Sequence, residues 1–203
     1  MRATSERRTS LPWLLRLTES GFRVSRIRIT GGEWRSRLIQ VMDAPGLRPT
    51  PDRVRETLFN WLGQNLDGLN CLDLFAGSGI LGFEAASRGA AQVTLVERER
   101  KAFLALQKHA QELNAHADGK VALFCGDALK FAPLAGQRFD VIFLDPPYGQ
   151  GWLERITPRL EALAAPGARI YAEAEAPLTA LGDWSVVKHG HAGQVYFHLL
   201  EQI

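Results

Sequence analysis

The chain has 203 residues, 46% apolar and 23% charged, a balance that excludes disorder throughout and suits one domain with a small appendage. Two cysteines, Cys71 and Cys125, exclude a disulfide scaffold, and no apolar run approaches the roughly 18–20 residues a membrane span needs. The formal net charge of +2 hides an asymmetry: residues 1–55 hold 12 Arg, no Lys and 5 acidic residues, while the rest of the chain is net acidic, so a polyanion held by one end of the molecule is the expected partner.

Residues 1–22 show no clear period and are expected to form a flexible tail. Residues 23–45 read as a basic β-hairpin, in which RVSRIRIT and EWRSRLIQV flank Gly31-Gly32, a two-residue turn signal. That turn predicts Ile29 opposite Trp34, Ile27 opposite Ser36 and Ser25 opposite Leu38 on an apolar face. On the other face it predicts Arg28 opposite Arg35 and Arg26 opposite Arg37. Like charges directly opposed cost stability, so four arginines on one face of a small ribbon point to bound phosphates.

The main domain is expected over residues 46–203. In LRPTPDRVRETLFNWLG, Thr50 is a natural N-cap, Pro51 fits the first helical position and Asp52 suits the positive helix end. Val54, Leu58, Trp61 and Leu62 recur at helical spacing, and Gly63 can close the helix. Arg53 and Arg55 are expected to protrude from the first turn and, with Arg48, to add to the polyanion-binding surface. From residue 70 onward, strand-like runs at 71–75, 92–97, 121–125, 139–145 and 168–174 alternate with helix-like runs at 79–88, 99–114 and 152–164, followed by a terminal hairpin. Near-continuous apolar strands alternating with helices predict an α/β, Rossmann-like fold, with a mostly parallel seven-stranded sheet covered on both faces.

The first of these strands runs into Asp73-Leu74-Phe75-Ala76-Gly77-Ser78-Gly79. Glycines at a strand-to-helix turn let the backbone approach a ligand beside a helix N-terminus. Gly77, Gly79 and Gly82 match a dinucleotide fingerprint, which alone does not separate a nicotinamide enzyme from other nucleoside binders. Asp73 disfavours a pyrophosphate at that turn and favours an ammonium or sulfonium ligand. Glu97, ending the second strand, can accept both hydroxyls of a ribose, and Asp127, followed by Ala128, can accept from an adenine amine. The fourth strand ends in Asp145-Pro146-Pro147-Tyr148. Two prolines remove donors and leave acceptors, which suits an exocyclic amino group, and Tyr148 offers a face for a base. The histidines, His109, His116, His189, His191 and His198, form no ligand set, and no metal is expected.

DLFAGSG with DPPY resembles the class I S-adenosylmethionine-dependent methyltransferases that act on amino groups. RITGGEWRSRLIQV, LRPTPDRVRETLFNWL, DLFAGSGILGFEAASRGA, FLDPPY and AGQVY (192–196) together resemble the bacterial small-subunit ribosomal RNA guanine-N(2)-methyltransferase family over roughly residues 25–200. The resemblance implies S-adenosylmethionine as cofactor. Asp73, Phe75, Ala76, Gly77, Ser78 and Gly79, with Thr50, Glu97, Asp127 and Ala128, would hold it, and Asp145, Pro146, Pro147 and Tyr148 would hold the target guanine. It further implies ribosomal RNA or a small-subunit assembly particle as partner and a cytoplasmic monomer. The remaining readings are an amino-methyltransferase acting on DNA or another RNA, a nicotinamide oxidoreductase, and a non-catalytic RNA-binding module.

Overall fold

The computed structural model describes residues 24–42, 50–115 and 120–202; the expected N-terminal tail and Arg48 lie outside them. Strands β1 (Val24–Arg28) and β2 (Leu38–Met42) form a two-stranded antiparallel ribbon. Helix α1 (Asp52–Leu62) leads to the main sheet: β3 (Asn70–Asp73), α2 (Ile80–Ser87), β4 (Gln92–Glu97), α3 (Arg100–Glu112), β5 (Val121–Cys125), β6 (Phe139–Leu144), α4 (Trp152–Leu163) and β7 (Ala164–Ala174). Strands β8 (Ala180–Leu181), β9 (Trp184–Ala192) and β10 (Val195–Gln202) complete it. The strand order is β5-β4-β3-β6-β7-β10-β9-β8. The first five are parallel, and β10, β9 and β8 add on antiparallel. Among the described residues the sheet has eight strands rather than seven, because Ala180–Leu181 pairs with the start of β9 as a two-residue edge.

Two apolar layers flank the sheet. One joins α1, α2 and α3 to the sheet through Leu58, Phe59, Phe83, Leu106 and Phe143. The other seats α4 through Leu153, Ile156 and Leu160 against Ile142, Leu144 and Ile170. The ribbon shares the first layer, since Ile27, Ile29, Trp34, Ile39 and Val41 are buried in it. Chain order reverses direction between β3 and β6, which are neighbours in the sheet although four elements separate them in sequence. A crevice at the carboxyl ends of such a strand pair is where parallel α/β sheets bind ligands.

The ribbon departs from the expected register. Arg28 pairs with Leu38, Ile27 with Ile39 and Arg26 with Gln40, so the opposed arginine pairs do not form. Residues 29–37 make a longer connection, closed where the Ile29 N–H donates to the Arg37 carbonyl at 2.9 Å and the Ser36 N–H to the Ile29 carbonyl at 2.9 Å. Gly31-Gly32 serves close approach rather than a tight turn. Gly32 has φ +77°, and a Cβ there would lie 1.8 Å from the Ser87 carbonyl oxygen at the end of α2. The Glu33 N–H donates to that same carbonyl at 2.7 Å. Ser87 Oγ donates to the Gly31 carbonyl at 2.6 Å and accepts from the Trp34 N–H at 2.8 Å.

Arg55 corrects a second expectation. Its side chain is fully buried and cannot meet a polyanion. Helical geometry puts position 55 on the face of α1 that carries Val54, Leu58, Phe59 and Leu62. The charge is met inside: Arg55 Nη1 donates to Glu84 Oε2 at 2.8 Å and Nη2 to the Arg28 carbonyl at 2.9 Å. Glu84, itself buried, also accepts from Arg88 Nη2, the Thr30 hydroxyl and the Thr30 and Gly31 N–H groups, at 2.7–2.9 Å in their shortest contacts. A buried carboxylate with this many donors is well solvated by the protein itself. It binds ribbon, α1 and α2 into one body.

Candidate active site

The site is assembled from the carboxyl ends of β3, β4, β5, β6 and β7. After β3 the chain turns through residues 74–79. The Leu74 N–H donates to the Phe143 carbonyl at 3.2 Å and the Ala76 N–H to the Val96 carbonyl at 2.9 Å, so the turn is tied to both neighbouring strands. Gly77 (φ +51°) and Gly79 (φ +78°) take left-handed backbone, and Gly79 is the residue before α2. A Cβ on Gly82 would lie 2.0 Å from Leu95 Cδ2, so this glycine lets α2 lie close on β4.

Acidic side chains ring this turn. Asp73 is buried beneath it and accepts from the Phe75 N–H at 3.4 Å. Burial pushes the Asp73 carboxyl up to about 7, with Glu97 adding to the push against the bond from Phe75. Glu97 Oε2 accepts from the Gly77 N–H at 2.8 Å and Oε1 from the Glu99 N–H at 2.6 Å. Asp127 Oδ1 accepts from the Leu129 N–H at 2.8 Å, and Ala128 is buried in the α4-side layer. Glycine backbone above a buried carboxyl, with two more carboxylates on the neighbouring strand ends, fits a cationic nucleoside ligand and repels a pyrophosphate.

Asp145 follows β6 and is half-buried, Pro146 is buried, and Pro147 and Tyr148 are exposed. Tyr148 shows 44% of its surface, leaving its ring accessible to a base. In the parallel register Leu144 lies beside Ala172, which brings Asp145 level with Glu173 of β7. Glu173 is a site residue that the sequence reading misses. It is 3% exposed, and its Oε1 accepts from the Thr50 hydroxyl at 3.0 Å and the Tyr171 hydroxyl at 2.8 Å. Its only sequence signal is a lone acid inside the apolar run RIYAEA.

Thr50 is not the cap of α1. Pro51 holds that position with no side-chain cap bond, and the helix starts at Asp52. The buried Thr50 side chain turns instead to Asp145 and Glu173, which sets it with the DPPY residues and not with the glycine turn where the sequence analysis expects it; its Oγ1 is also 3.4 Å from Asp145 Oδ2. Burial first, then Glu173 and Asp73, raise the Asp145 carboxyl well above the usual carboxylate range; the Thr50 contact opposes this. Burial also raises Glu173, against its bonds from Tyr171 and Thr50. Burial, followed by Glu173 and Asp145, raises the Tyr148 phenol, so it stays neutral.

The other arginines of the expected polyanion surface lie in a different arrangement from the opposed pairs. Arg26, Arg28, Arg35, Arg37 and Arg53 are exposed. Arg28 Nη2 lies 3.5 Å from Asp52 Oδ2, and Arg37 donates to the Glu112 carbonyl. The AGQVY motif forms the β9–β10 turn, beside a cavity of about 530 Å³ that His189, His191, Tyr196 and His198 help to line.

The sequence model of the family described as "Conserved hypothetical protein 95" matches residues 27–201. The Ribosomal RNA small subunit methyltransferase D of Escherichia coli (strain K12) is 43% identical over 181 residues, which cover 87% of this chain and 90% of that protein. The protein of the same name from Haemophilus influenzae is 39% identical over 181 residues, 86% of this chain and 93% of its own. The solved structure of the putative methyltransferase yhhF from Escherichia coli superposes with a TM-score of 0.77 at 40% identity, covering 88% of this chain and 98% of its own.

Proposed function

The chain belongs to the conserved hypothetical protein 95 family, and on that premise we propose that it methylates the exocyclic amino group of a guanine in small-subunit ribosomal RNA. The observation that carries the reading is the pairing of two acceptor sets at the carboxyl end of the sheet. Asp73, Glu97 and Asp127 surround the glycine turn, and Asp145 with the following prolines lies one strand away from Asp73. The first set suits the methyl donor and the second an amine.

S-adenosylmethionine is the cofactor; when bound, its sulfonium would supply an electrophilic methyl group to the amine nitrogen, the sulfur keeping the electron pair of the broken bond. The residues that would hold it are those of the 73–79 turn with Glu97 and Asp127. Asp73 would stabilise the donor's positive charge and Glu97 would accept from its ribose hydroxyls, while Glu97 also steadies the Gly77 backbone.

The other residues orient the base. Guanine's amine is a weak nucleophile because its lone pair is delocalised into the ring. Asp145 and the Pro146 carbonyl accept its N–H groups and aim the lone pair, and Tyr148 stacks on the ring. Such positioning is worth up to about 7–11 kcal/mol of barrier. The target must leave its stack or already lie in a loop. Arg26, Arg28, Arg35, Arg37 and Arg53 bind RNA phosphates and hold the substrate in register. The protein acts as a cytoplasmic monomer, on ribosomal RNA or on a small-subunit assembly particle. Offering methyl-labelled S-adenosylmethionine with naked RNA, assembled subunits and DNA, followed by nucleoside analysis, tests the substrate assignment.

A further inference from the structure

We propose that Asp145, Thr50 and Glu173 form a proton relay, in which Glu173 takes the Asp145 proton through the Thr50 hydroxyl and so frees Asp145 to accept the amino group of the target base. The inference rests on the methyltransferase reading above and concerns how its acceptor residue becomes competent.

Hydrogens are too few for two ionised carboxyls here. Thr50 Oγ1 is 3.0 Å from Glu173 Oε1 and 3.4 Å from Asp145 Oδ2, and it carries one hydrogen. With both carboxyls ionised, one contact would set a hydroxyl lone pair against a carboxylate oxygen. Glu173 Oε1 already accepts from the Tyr171 hydroxyl at 2.8 Å. Two hydroxyl bonds on Glu173 favour its ionised form. The consistent resting arrangement is therefore Asp145–OH donating to Thr50 Oγ1, and the Thr50 hydroxyl donating to Glu173.

The charges around the pair agree. Asp145 faces Glu173 from β7, Asp73 from β3, and Thr50 from the approach to α1. Tyr148 on its own loop and Tyr171 on β7 face the same carboxylates, and Glu175 faces Tyr148. None of these neighbours is cationic, which favours the shared proton that the Thr50 hydrogen-bond geometry calls for.

A protonated Asp145 suits the resting site and not the reaction, because the amine offers donors and must lose a proton. On base binding, the Oδ2 proton passes to Thr50 Oγ1 while the Thr50 proton passes to Glu173 Oε1. The count of protons is unchanged, and Asp145 becomes a carboxylate facing the amine. When the nitrogen has gained its methyl group, its surplus proton goes to Asp145. Both carboxyls are then protonated, and one proton leaves to water through half-buried Asp145. One proton is released per methyl transferred.

The test is the pH profile of kcat for wild type, Thr50→Val, Thr50→Ser, Glu173→Gln and the Thr50→Val/Glu173→Gln double variant, with S-adenosylmethionine affinity and thermal unfolding measured alongside. In Thr50→Val, Asp145 must lose its proton to water. kcat at pH 7 is expected to fall about tenfold or more and to recover as pH rises, with cofactor affinity within about twofold. Thr50→Ser restores the hydroxyl and the wild-type profile. Glu173→Gln removes the charge that holds the proton on Asp145, so the acid limb moves to lower pH, and in that background Thr50→Val costs nothing further. A Thr50→Val profile superimposable on wild type overturns the relay. So does an equal loss at every pH, the signature of a purely structural threonine. Infrared spectra of the free protein at pH 7 need no turnover. A protonated-carboxyl band that disappears in Asp145→Asn supports the resting proton, and its absence from wild type overturns it even if the RNA assignment fails.

Discussion

Arg55 Nη1 lies 2.8 Å from Glu84 Oε2, and neither side chain reaches solvent. The pair joins the helix that begins beside Thr50 to the helix that begins at the glycine turn. Arg88 and the Thr30–Gly31 backbone complete it, so the arginine-bearing ribbon is braced to the same two helices. The ribbon, the Asp145 site and the glycine turn are thereby fixed relative to one another.

Removing the shared carboxylate strands two arginines in the core. Glu84→Ala is expected to cost roughly 3–5 kcal/mol, the usual range for breaking a buried pair on one side. Urea denaturation of the two proteins checks this, and a loss under about 1 kcal/mol would show that the arginines find water.

Glu97→Ala removes a charged acceptor from the ribose side and frees the Gly77 N–H. Charge-assisted bonds contribute roughly 1.5–3 kcal/mol each, so S-adenosylmethionine affinity should fall about tenfold or more by calorimetric titration. NADH should not bind either protein.

Asp145→Ala should lower methyl transfer by roughly a hundredfold or more while leaving cofactor affinity within a few-fold, because the proposed activity sets Asp145 against the base and not the donor. Single-turnover kinetics beside calorimetry separate the two effects. Near-normal turnover would remove Asp145 from the acceptor role.

The Asp73 carboxyl, pushed up to about 7 by burial, couples cofactor binding to pH. A cationic donor favours the ionised form, so below that value binding expels a proton. Affinity for S-adenosylmethionine should therefore rise from pH 5 to pH 7 and level off above. Titrations in buffers of different ionisation enthalpy read the released proton directly, and the rise should be absent in Asp73→Asn.

Arg26 and Arg35 are exposed on the ribbon and its connecting loop. Replacing both by Gln should weaken RNA binding and reduce the log–log salt slope by about 0.7–0.9 for each phosphate that is no longer neutralised. Cofactor affinity should be unchanged. Equal slopes for variant and wild type would show that these arginines are only a solvated face.

The main sheet is legible in the sequence where apolar runs are bounded by clear breaks. β4 and β5 occupy the expected residues, 92–97 and 121–125. The glycine turn and the DPPY segment are equally visible, because their chemistry is local. What the sequence hides depends on partners far along the chain. Arg55 is indistinguishable from a surface arginine until Glu84, 29 positions later, is found beside it. Gly31-Gly32 carries the signal of a tight turn, yet the demand for glycine comes from the Arg88 side chain at Gly31 and the Ser87 backbone at Gly32. Glu173 belongs to the site only because the β6–β7 register sets it level with Asp145. Thr50 looks like a helix cap because its neighbours in sequence are those of a helix start, while its hydrogen-bond partners lie 95 and 123 positions away.

The most direct measurement is nucleoside analysis, by chromatography and mass spectrometry, of small-subunit ribosomal RNA incubated with the protein and methyl-labelled S-adenosylmethionine. Label is expected in N2-methylguanosine, lowered roughly a hundredfold or more after incubation with Asp145→Ala. Label in an adenine or cytosine nucleoside, on a ring nitrogen or ribose, or label delivered to DNA in place of RNA, would contradict the proposed activity.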